Sequence, residues 1–418
     1  MPLNDVNATI ITIGDELLIG QTIDTNSAWM AQELNRSGIP VQRRIAVGDD
    51  RDQIWKALDD AGGSSQIILI TGGLGPTSDD ITKPLLCTYF GGKLVYDEKA
   101  LENVTRIFTM LKRPMLERNR KQAEVPDVCT VLQNARGTAP GMWFEKEGKI
   151  FVSMPGVPHE MKGMMQADVL PRLKERFALQ PVTHRTLVTA GMGESFLAER
   201  IQSIENALPK EIKLAYLPNY GMVKLRLSTY SQDSAVKDEL ERQFDILKKT
   251  LSDILVADED IPLADAIGKE LLGQGKTLAT AESCTGGYLA HQLTKIPGSS
   301  AYYLGSVIAY SNELKTGLLG VKESTLHHEG AVSEATVREM AFGILQRAGA
   351  DYAIATSGIM GPDGGTAEKP VGTVWIAVGN KRALHAEKIH VRFDRLRNIE
   401  LTATHAFNAL LKFIRETP

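Results

Sequence analysis

Only three cysteines, Cys87, Cys129 and Cys284, occur in the 418 residues of this chain, and their spacing matches no metal-binding pattern. That usage gives no disulfide framework to expect and suits a reducing cytoplasm. No apolar run reaches the roughly 18 residues that a membrane span needs, and the first residues lack the charged, apolar and small-residue order of a signal peptide. Together these absences predict a soluble, cytoplasmic protein. Basic residues are not in excess either: 47 Lys and Arg stand against 51 Asp and Glu, a formal net charge of -4. Nucleic-acid-binding proteins show the opposite, a basic face or stripe, so nucleic acid is not an expected partner. The short runs Lys112-Arg113 and Arg118 to Lys121 read as a solvated helix face. No internal repeat is evident, and the length suggests two to three domains at a prior of roughly 150 residues each.

The most informative stretch that is present is TAESCTGG, Thr280 to Gly287. An apolar lead-in from Thr277 reads as a buried strand, and a helix is expected from Tyr288 to Lys295. Gly286 and Gly287 permit close approach of backbone N–H groups to a ligand. A serine at that junction, Ser283, is a candidate nucleophile beside a helix N-terminus whose donors can steady an oxyanion. The same pattern also suits a Ser283 or Thr285 that only caps the helix.

Further on, Ser306 to Lys315 reads as a β-branched strand ending in a helix start near Ser311. Lys315 then shares a face with Ser311 and can point back toward Tyr310. Ser–Lys pairs are a known variant of the Ser-His-Asp logic, provided the lysine is neutral; a solvated lysine with Tyr310 in the core is the alternative. A third apolar strand from Asp351 runs into Thr356-Ser-Gly-Ile-Met-Gly-Pro-Asp-Gly-Gly365, a loop rich enough in glycine to cradle a ligand. Thr356 and Ser357 offer hydroxyls, Gly358 backbone access, and Asp363 a carboxylate. The next strand is expected from Val371 to Val378. Polar tips on three strands are how an α/β sheet builds a site at its carboxyl edge.

TAESCTGG, SxxxYSNxxK, Gly330 to Glu334 and SGIxGPDGG closely resemble the carboxy-terminal domain of the competence/damage-inducible protein A (CinA) family. The resemblance implies a nicotinamide mononucleotide deamidase that needs no cofactor, with Ser283 as nucleophile, Lys315 as base, and Tyr310, Thr285, Gly286, Gly287, Thr356, Ser357 and Gly358 shaping the site. Family members carry Gly-Asp-Arg near the end, where the arginine can meet a substrate phosphate. Here that segment is Phe393-Asp394-Arg395.

The front of the chain presents a second set. Ala8 to Glu16 reads as a buried strand delivering Gly14, Asp15 and Glu16, and Gln66 to Asp80 as another that ends in Gly72, Gly73, Gly75, Thr77, Asp79 and Asp80. Glycine-rich turns offer N–H groups to phosphate, and Asp79 and Asp80 can bind a divalent ion that bridges it. Asn134 to Gly141 and Met154 to Met161 return to the same edge, although His159 and Glu160 read as part of a proline-rich turn. These segments are similar to molybdopterin-binding (MoaB/MogA-like) domains. In the CinA family such a domain looks like an ADP-ribose pyrophosphatase, which implies metal-assisted attack of water.

Between the two sites, a strand (Arg185 to Ala190), a helix (Glu194 to Ile204), two strands around Asn219-Tyr-Gly221 and a helix (Ser234 to Leu251) resemble the small KH-like domain of longer CinA proteins. The Gly-x-x-Gly loop by which RNA-binding KH domains clamp backbone is missing, so a spacer or dimerisation module is expected, and with it a homodimer. Pro171 to His184 and Asp258 to Pro262 read as linkers. Expected domains are 1–170, 171–257 and 258–418. The fold class is α/β, with mainly parallel sheets in two end domains flanking an α+β middle. The functional expectation is a two-site hydrolase acting on nicotinamide mononucleotide and ADP-ribose; a pterin- or nucleotide-binding scaffold is the rival.

Overall fold

The computed structural model describes residues 6–77, 80–177, 179, 181–219 and 221–416. The chain divides into two compact units, Met1–Thr183 with Tyr230–Gln232, and His184–Thr229 with Asp233–Pro418. In the first unit the strands are β1 (Ala8–Ile13), β2 (Val41–Val47), β3 (Ile67–Thr71), the short pair β4 (Leu94–Tyr96) and β5 (Glu124–Pro126), then β6 (Thr130–Leu132), β7 (Gly141–Lys146) and β8 (Lys149–Met154). The main sheet has the order β2-β1-β3-β8-β7-β6. Its pairs β1–β2, β1–β3 and β3–β8 are parallel, whereas β7 pairs antiparallel with β8 and β6.

Every residue of β1 and β3 is buried, because alternate side chains enter cores on opposite faces. Ile10 and Leu69 pack with Met30 and Leu34 of helix Thr25–Arg36. Ile11 and Ile70 pack with Ile54 and Leu58 of helix Arg51–Ser64. Both helices start where an aspartate takes an orphan donor: Ser27 N donates to Asp24 at 2.9 Å and Gln53 N to Asp50 at 3.0 Å.

The linker expected from Pro171 to His184 is instead helical as far as Phe177. Helix Pro158–Met164 runs through a π-helical turn, Met165–Val169, into helix Leu170–Phe177, and Leu170 and Leu173 are buried in the core beneath β1 and β8. Pro171 is tolerated because its missing N–H falls just after the wide turn, where the i→i−4 ladder is already interrupted. The Asp258 to Pro262 segment does lie outside helices and strands.

In the second unit β9 (Thr183–Ala190), β10 (Lys213–Asn219), β11 (Met222–Thr229) and β12 (Leu255–Ala257) form a sheet of order β10-β11-β9-β12. Helices Glu194–Asn206 and Ser234–Thr250 bury Leu197, Ile201, Leu240, Phe244 and Leu247 with Leu225 and Leu227 of β11. Asn219 pairs with Met222, which leaves a tight antiparallel hairpin whose Gly221 has φ 69°; Tyr220 lies outside the described residues.

The last sheet contains β13 (Leu278–Glu282), β14 (Tyr303–Ile308), β15 (Tyr352–Gly358), β16 (Thr373–Asn380) and β17 (Leu384–His390) in the order β14-β13-β15-β16-β17. β13 is parallel to both neighbours, so the carboxyl ends of β13, β14 and β15 meet at one edge. The strand after Pro370 begins at Thr373 and returns antiparallel, as does β17 after it. On one face Leu278, Ile354 and Ile376 pack under helix Arg395–Glu416. On the other, Ala279, Ala281, Ala353, Ala355 and Ala377 face helix Glu334–Ala348. Architecture is thus mixed α/β at both ends with an α+β middle. Among the described residues no helix is long and apolar enough to cross a membrane.

Candidate active sites at two sheet edges

β13 ends in Glu282, and Ser283 follows with its N–H donated to Thr356 O at 3.0 Å, which pins the serine to the tip of β15. Ser311 caps helix Asn312–Leu319 by accepting from Leu314 N at 3.3 Å. That start places Lys315 one turn in, aimed back at the sheet edge. Its Nζ lies 3.0 Å from Ser283 Oγ, 2.9 Å from Ala309 O and 3.3 Å from Tyr310 O. Lys315 is only 2 % exposed. Burial pushes its ammonium below the ordinary lysine range, against weaker opposing contributions from Cys284 and Glu313. Two carbonyls accept two of its N–H groups, and the third position on the nitrogen is directed at the serine hydroxyl.

Cys284, beside the serine, is 5 % exposed and packs in the core with Leu278 and Leu289. Burial raises its thiol to about 12, so it is a poor source of thiolate.

The helix N-terminus expected to hold an oxyanion is already occupied. Glu282, fully buried, turns under helix Tyr288–Thr294 and accepts from Gly287 N and Leu289 N at 3.0 Å and from Ala290 N at 2.9 Å. Gly286 N and Tyr288 N donate to Ser283 O and Thr285 O. Among the described residues, the N–H groups next to the serine that bond no other residue are those of Cys284 and Thr285. Gly287 has φ 96°, and a Cβ there would stand 2.9 Å from Ile308 Cδ1, so the second glycine is required by the turn itself.

A cavity of about 270 Å³ opens over this edge. Ser283, Lys315, Tyr310, Ser357, Gly358 and Arg395 line it with Asp363, whose carboxylate the loop sequence offered, joined by Asn312, Ala331 and Val332, which sequence reasoning did not single out. Tyr310 is not a core residue: it is 60 % exposed, and its Oη receives Arg395 Nη2 at 2.9 Å. Arg395 also donates to Gly361 O at 2.7 Å. Phe393 in place of glycine therefore does not keep the arginine away; Asn398, fully buried, bonds Phe393 N and O and Met360 O and fixes the start of the last helix. Thr285, Gly286, Gly287 and Thr356 are not among the lining residues. Thr285 Oγ1 bonds Glu282 and Thr356 at 2.8 Å each, behind the serine.

The first unit has its own cavity, about 420 Å³, at the tips of β1, β3 and β8. Gly14, Glu16, Gly72, Gly73, Gly75 and Asp80 line it, as do Thr138, Pro155 and Gly156 from the two returning segments. Gly73 has φ 64°, and a Cβ there would meet Thr82 Oγ1 at 2.1 Å. Asp15 is turned away and pairs reciprocally with Asp49: Asp49 N donates to its carboxylate at 3.1 Å, and Asp15 N to that of Asp49 at 3.2 Å. Asp79 lies outside the described residues. Asp80 accepts from Gly75 N at 2.7 Å, Thr77 N at 2.9 Å and Thr77 Oγ1 at 2.5 Å, so both Thr77 and Asp80 hold the loop together. Among the described residues no three His, Cys, Asp or Glu converge as a metal cluster would. With Asp80 engaged by its own loop, these residues do not fit a resident ion held by protein alone.

Asp49 and Lys83 were not singled out from sequence, and Glu160 was read there only as part of a turn. Asp49 lines the cavity. Glu160 does too; burial raises its carboxyl above the usual range, opposed by the Asn134 amide at 2.6 Å, whereas His159 is exposed as expected. Lys83, 8 % exposed, donates to Gln122 O at 2.8 Å and is held down to about 8 by burial.

Residues 9–175 match the probable molybdopterin binding domain, 184–255 the damage-inducible protein CinA KH domain, and 260–414 the CinA C-terminal domain. A CinA-like protein of Cytophaga hutchinsonii is 45% identical, covering 98% of this chain and 99% of its own. One of Flavobacterium psychrophilum is 42% identical, again covering 98% and 99%. A crystal structure of the competence damage-inducible protein A from Klebsiella pneumoniae is 38% identical and covers 37% of this chain and 97% of that one, with a TM-score of 0.37. With three such domains in this order and relatives matched along nearly their whole length, the chain belongs to the CinA-like family.

Proposed function

We propose that the last domain is a serine amidohydrolase that converts nicotinamide mononucleotide to nicotinic acid mononucleotide and ammonia. The observation that carries this reading is the buried Lys315 amine 3.0 Å from Ser283 Oγ, with backbone carbonyls and no carboxylate as its other bonded partners. A lysine so placed is available as a neutral base. Ser283 attacks the carboxamide carbon as its proton passes to Lys315. The tetrahedral oxyanion faces the Cys284 and Thr285 N–H groups. Lys315 returns the proton to the departing nitrogen, ammonia leaves, and the same amine then activates the water that frees the acid from Ser283. Arg395 and Tyr310 would meet the phosphate end of the nucleotide. Ammonia release from nicotinamide mononucleotide by the full chain, and its loss in Ser283→Ala, tests the reading. Release undiminished by that substitution would sink it.

For the first domain the proposal is ADP-ribose diphosphate hydrolysis, supported by the glycine-lined cavity and its acidic rim. A binding-only pocket for a nucleotide or pterin is the second reading, favoured by the engagement of Asp80 within its own loop. Turnover of ADP-ribose, measured with and without added divalent ions, separates the two. The expected homodimer is likewise a proposal, and the mass of the full chain in solution by light scattering decides it.

A further inference from the structure

Glu282 is a fully buried acid at this sheet edge that the proposed reaction leaves without a task. It has no exposed surface. A carboxylate removed from water without partners is costly, and no cation bonds to it. Its partners are all donors instead. Oε2 accepts from Thr285 Oγ1 at 2.8 Å and from Gly287 N and Leu289 N at 3.0 Å. Oε1 accepts from Ala290 N at 2.9 Å, Ser306 Oγ at 3.3 Å and Thr280 Oγ1 at 3.4 Å. The residues so tied come from β13, β14, the TAESCTGG turn and the helix that follows it.

Because neighbouring residues at a strand end point to opposite sides, Glu282 faces the helix while Ser283 faces Lys315. The carboxylate therefore grips the turn from behind, and Thr285 passes the grip on to Thr356, whose carbonyl holds Ser283 N. The Cys284 and Thr285 N–H groups beside the serine bond no other residue among those described.

We infer that Glu282 is a positioning residue for the Ser283 centre: by occupying the helix N-terminus it shapes the turn so that the oxyanion is received by the Cys284 and Thr285 N–H groups and not by the helix. This rests on the amidohydrolase reading above. Its signature is a loss in turnover without a loss in substrate affinity, since Glu282 lines no part of the cavity.

The test is steady-state kinetics of Glu282→Gln and Glu282→Asp in the full chain, beside the rate at which a fluorophosphonate probe labels Ser283, read by mass spectrometry. Gln keeps the volume but sets an NH2 among donors, and kcat should fall by roughly tenfold or more, with KM within about twofold. Asp, which keeps the charge, should recover part of the loss. Labelling of Ser283 should slow in parallel. If Glu282→Gln does not fold, Thr285→Val removes one donor at little change of volume and should lower kcat in the same direction. Wild-type kcat and labelling rate in whichever variant folds overturn the inference and leave the amidohydrolase reading standing. A wild-type chain that releases no ammonia but labels at Ser283 overturns the substrate, and the labelling rates then decide the role of Glu282. A chain that does neither overturns both.

Discussion

Arg395 and Tyr310, 85 positions apart in the chain, share a hydrogen bond of 2.9 Å across the mouth of the cavity that holds Ser283. The guanidinium opens the last helix and the phenol follows β14, so two elements from opposite ends of the domain form one polar rim. Tyr310→Phe removes one of the two bonds that aim Arg395 and leaves the Gly361 carbonyl. KM for nicotinamide mononucleotide should rise about threefold to tenfold, with kcat nearly unchanged, as for uniform binding. Arg395→Ala should raise KM further. A kcat effect larger than the KM effect would move Tyr310 from binding into the chemistry.

Lys315→Arg keeps a positive charge but replaces a group that can lose its proton with one that cannot. Turnover should fall by at least about a hundredfold. A near-wild-type rate of ammonia release would leave Lys315 with an electrostatic or packing role only.

The pH dependence has a definite sign. Burial lowers the Lys315 pKa in the folded chain below its ordinary value of 10.5, so the unfolded chain binds the proton more tightly. Folding pays the full penalty below the folded pKa, and stability gains as pH rises from there toward the unfolded value. Activity follows the neutral amine: kcat/KM should climb through a midpoint below 10.5, and this limb should be absent from the residual activity of Lys315→Arg. A pH–rate profile flat across the neutral and alkaline range would contradict a lysine base.

Cys284→Ala tests the neighbouring thiol. Burial holds that thiol near 12, so deamidation should persist within about threefold, and iodoacetamide should leave the folded protein active. Loss of activity in Cys284→Ala with Ser283 intact would reverse the assignment of the nucleophile.

The two sites should also separate chemically in the full chain. Chelator should leave ammonia release untouched, because a serine attack held by backbone donors uses no metal. Asp80→Ala strips the acceptor from Gly75 N, Thr77 N and Thr77 Oγ1. ADP-ribose turnover should drop about tenfold or more as the loop loses its geometry, while deamidation stays level. Chelator-sensitive ammonia release would refute this division.

The Ser283–Lys315 pair was legible because Ser283 follows a strand end and Lys315 lies one turn into the helix that follows another, a pattern local enough to read from spacing. Glu282 was not: its partners lie as far away as Ala290 and Ser306, and a lone acid beside a serine carries no local sign of being buried. The glycine requirement was legible, and its cause at Gly287 is a backbone φ of 96° that other residues rarely adopt; the close approach to Ile308 on the neighbouring strand was not legible. Strand direction was legible only where helices intervene. β16 follows a long loop without a helix and β17 a tight turn, and both run antiparallel, which apolar runs alone do not reveal. Pro171 misled for the opposite reason, since a proline reads as a break unless the π turn before it is known.

The alanine face of the last sheet sets the width of the candidate active site from behind. Ala279, Ala281, Ala353, Ala355 and Ala377 allow the helix Glu334–Ala348 to lie close, and the Ala331–Val332 segment leading into that helix forms one wall of the cavity, tied to Ser357 by a 2.6 Å bond. Each methyl-sized side chain therefore acts as a shim under that wall. Exchanging one for valine would lift the helix and, with it, the wall opposite the serine. The width of the cavity thus depends on residues that line no part of it.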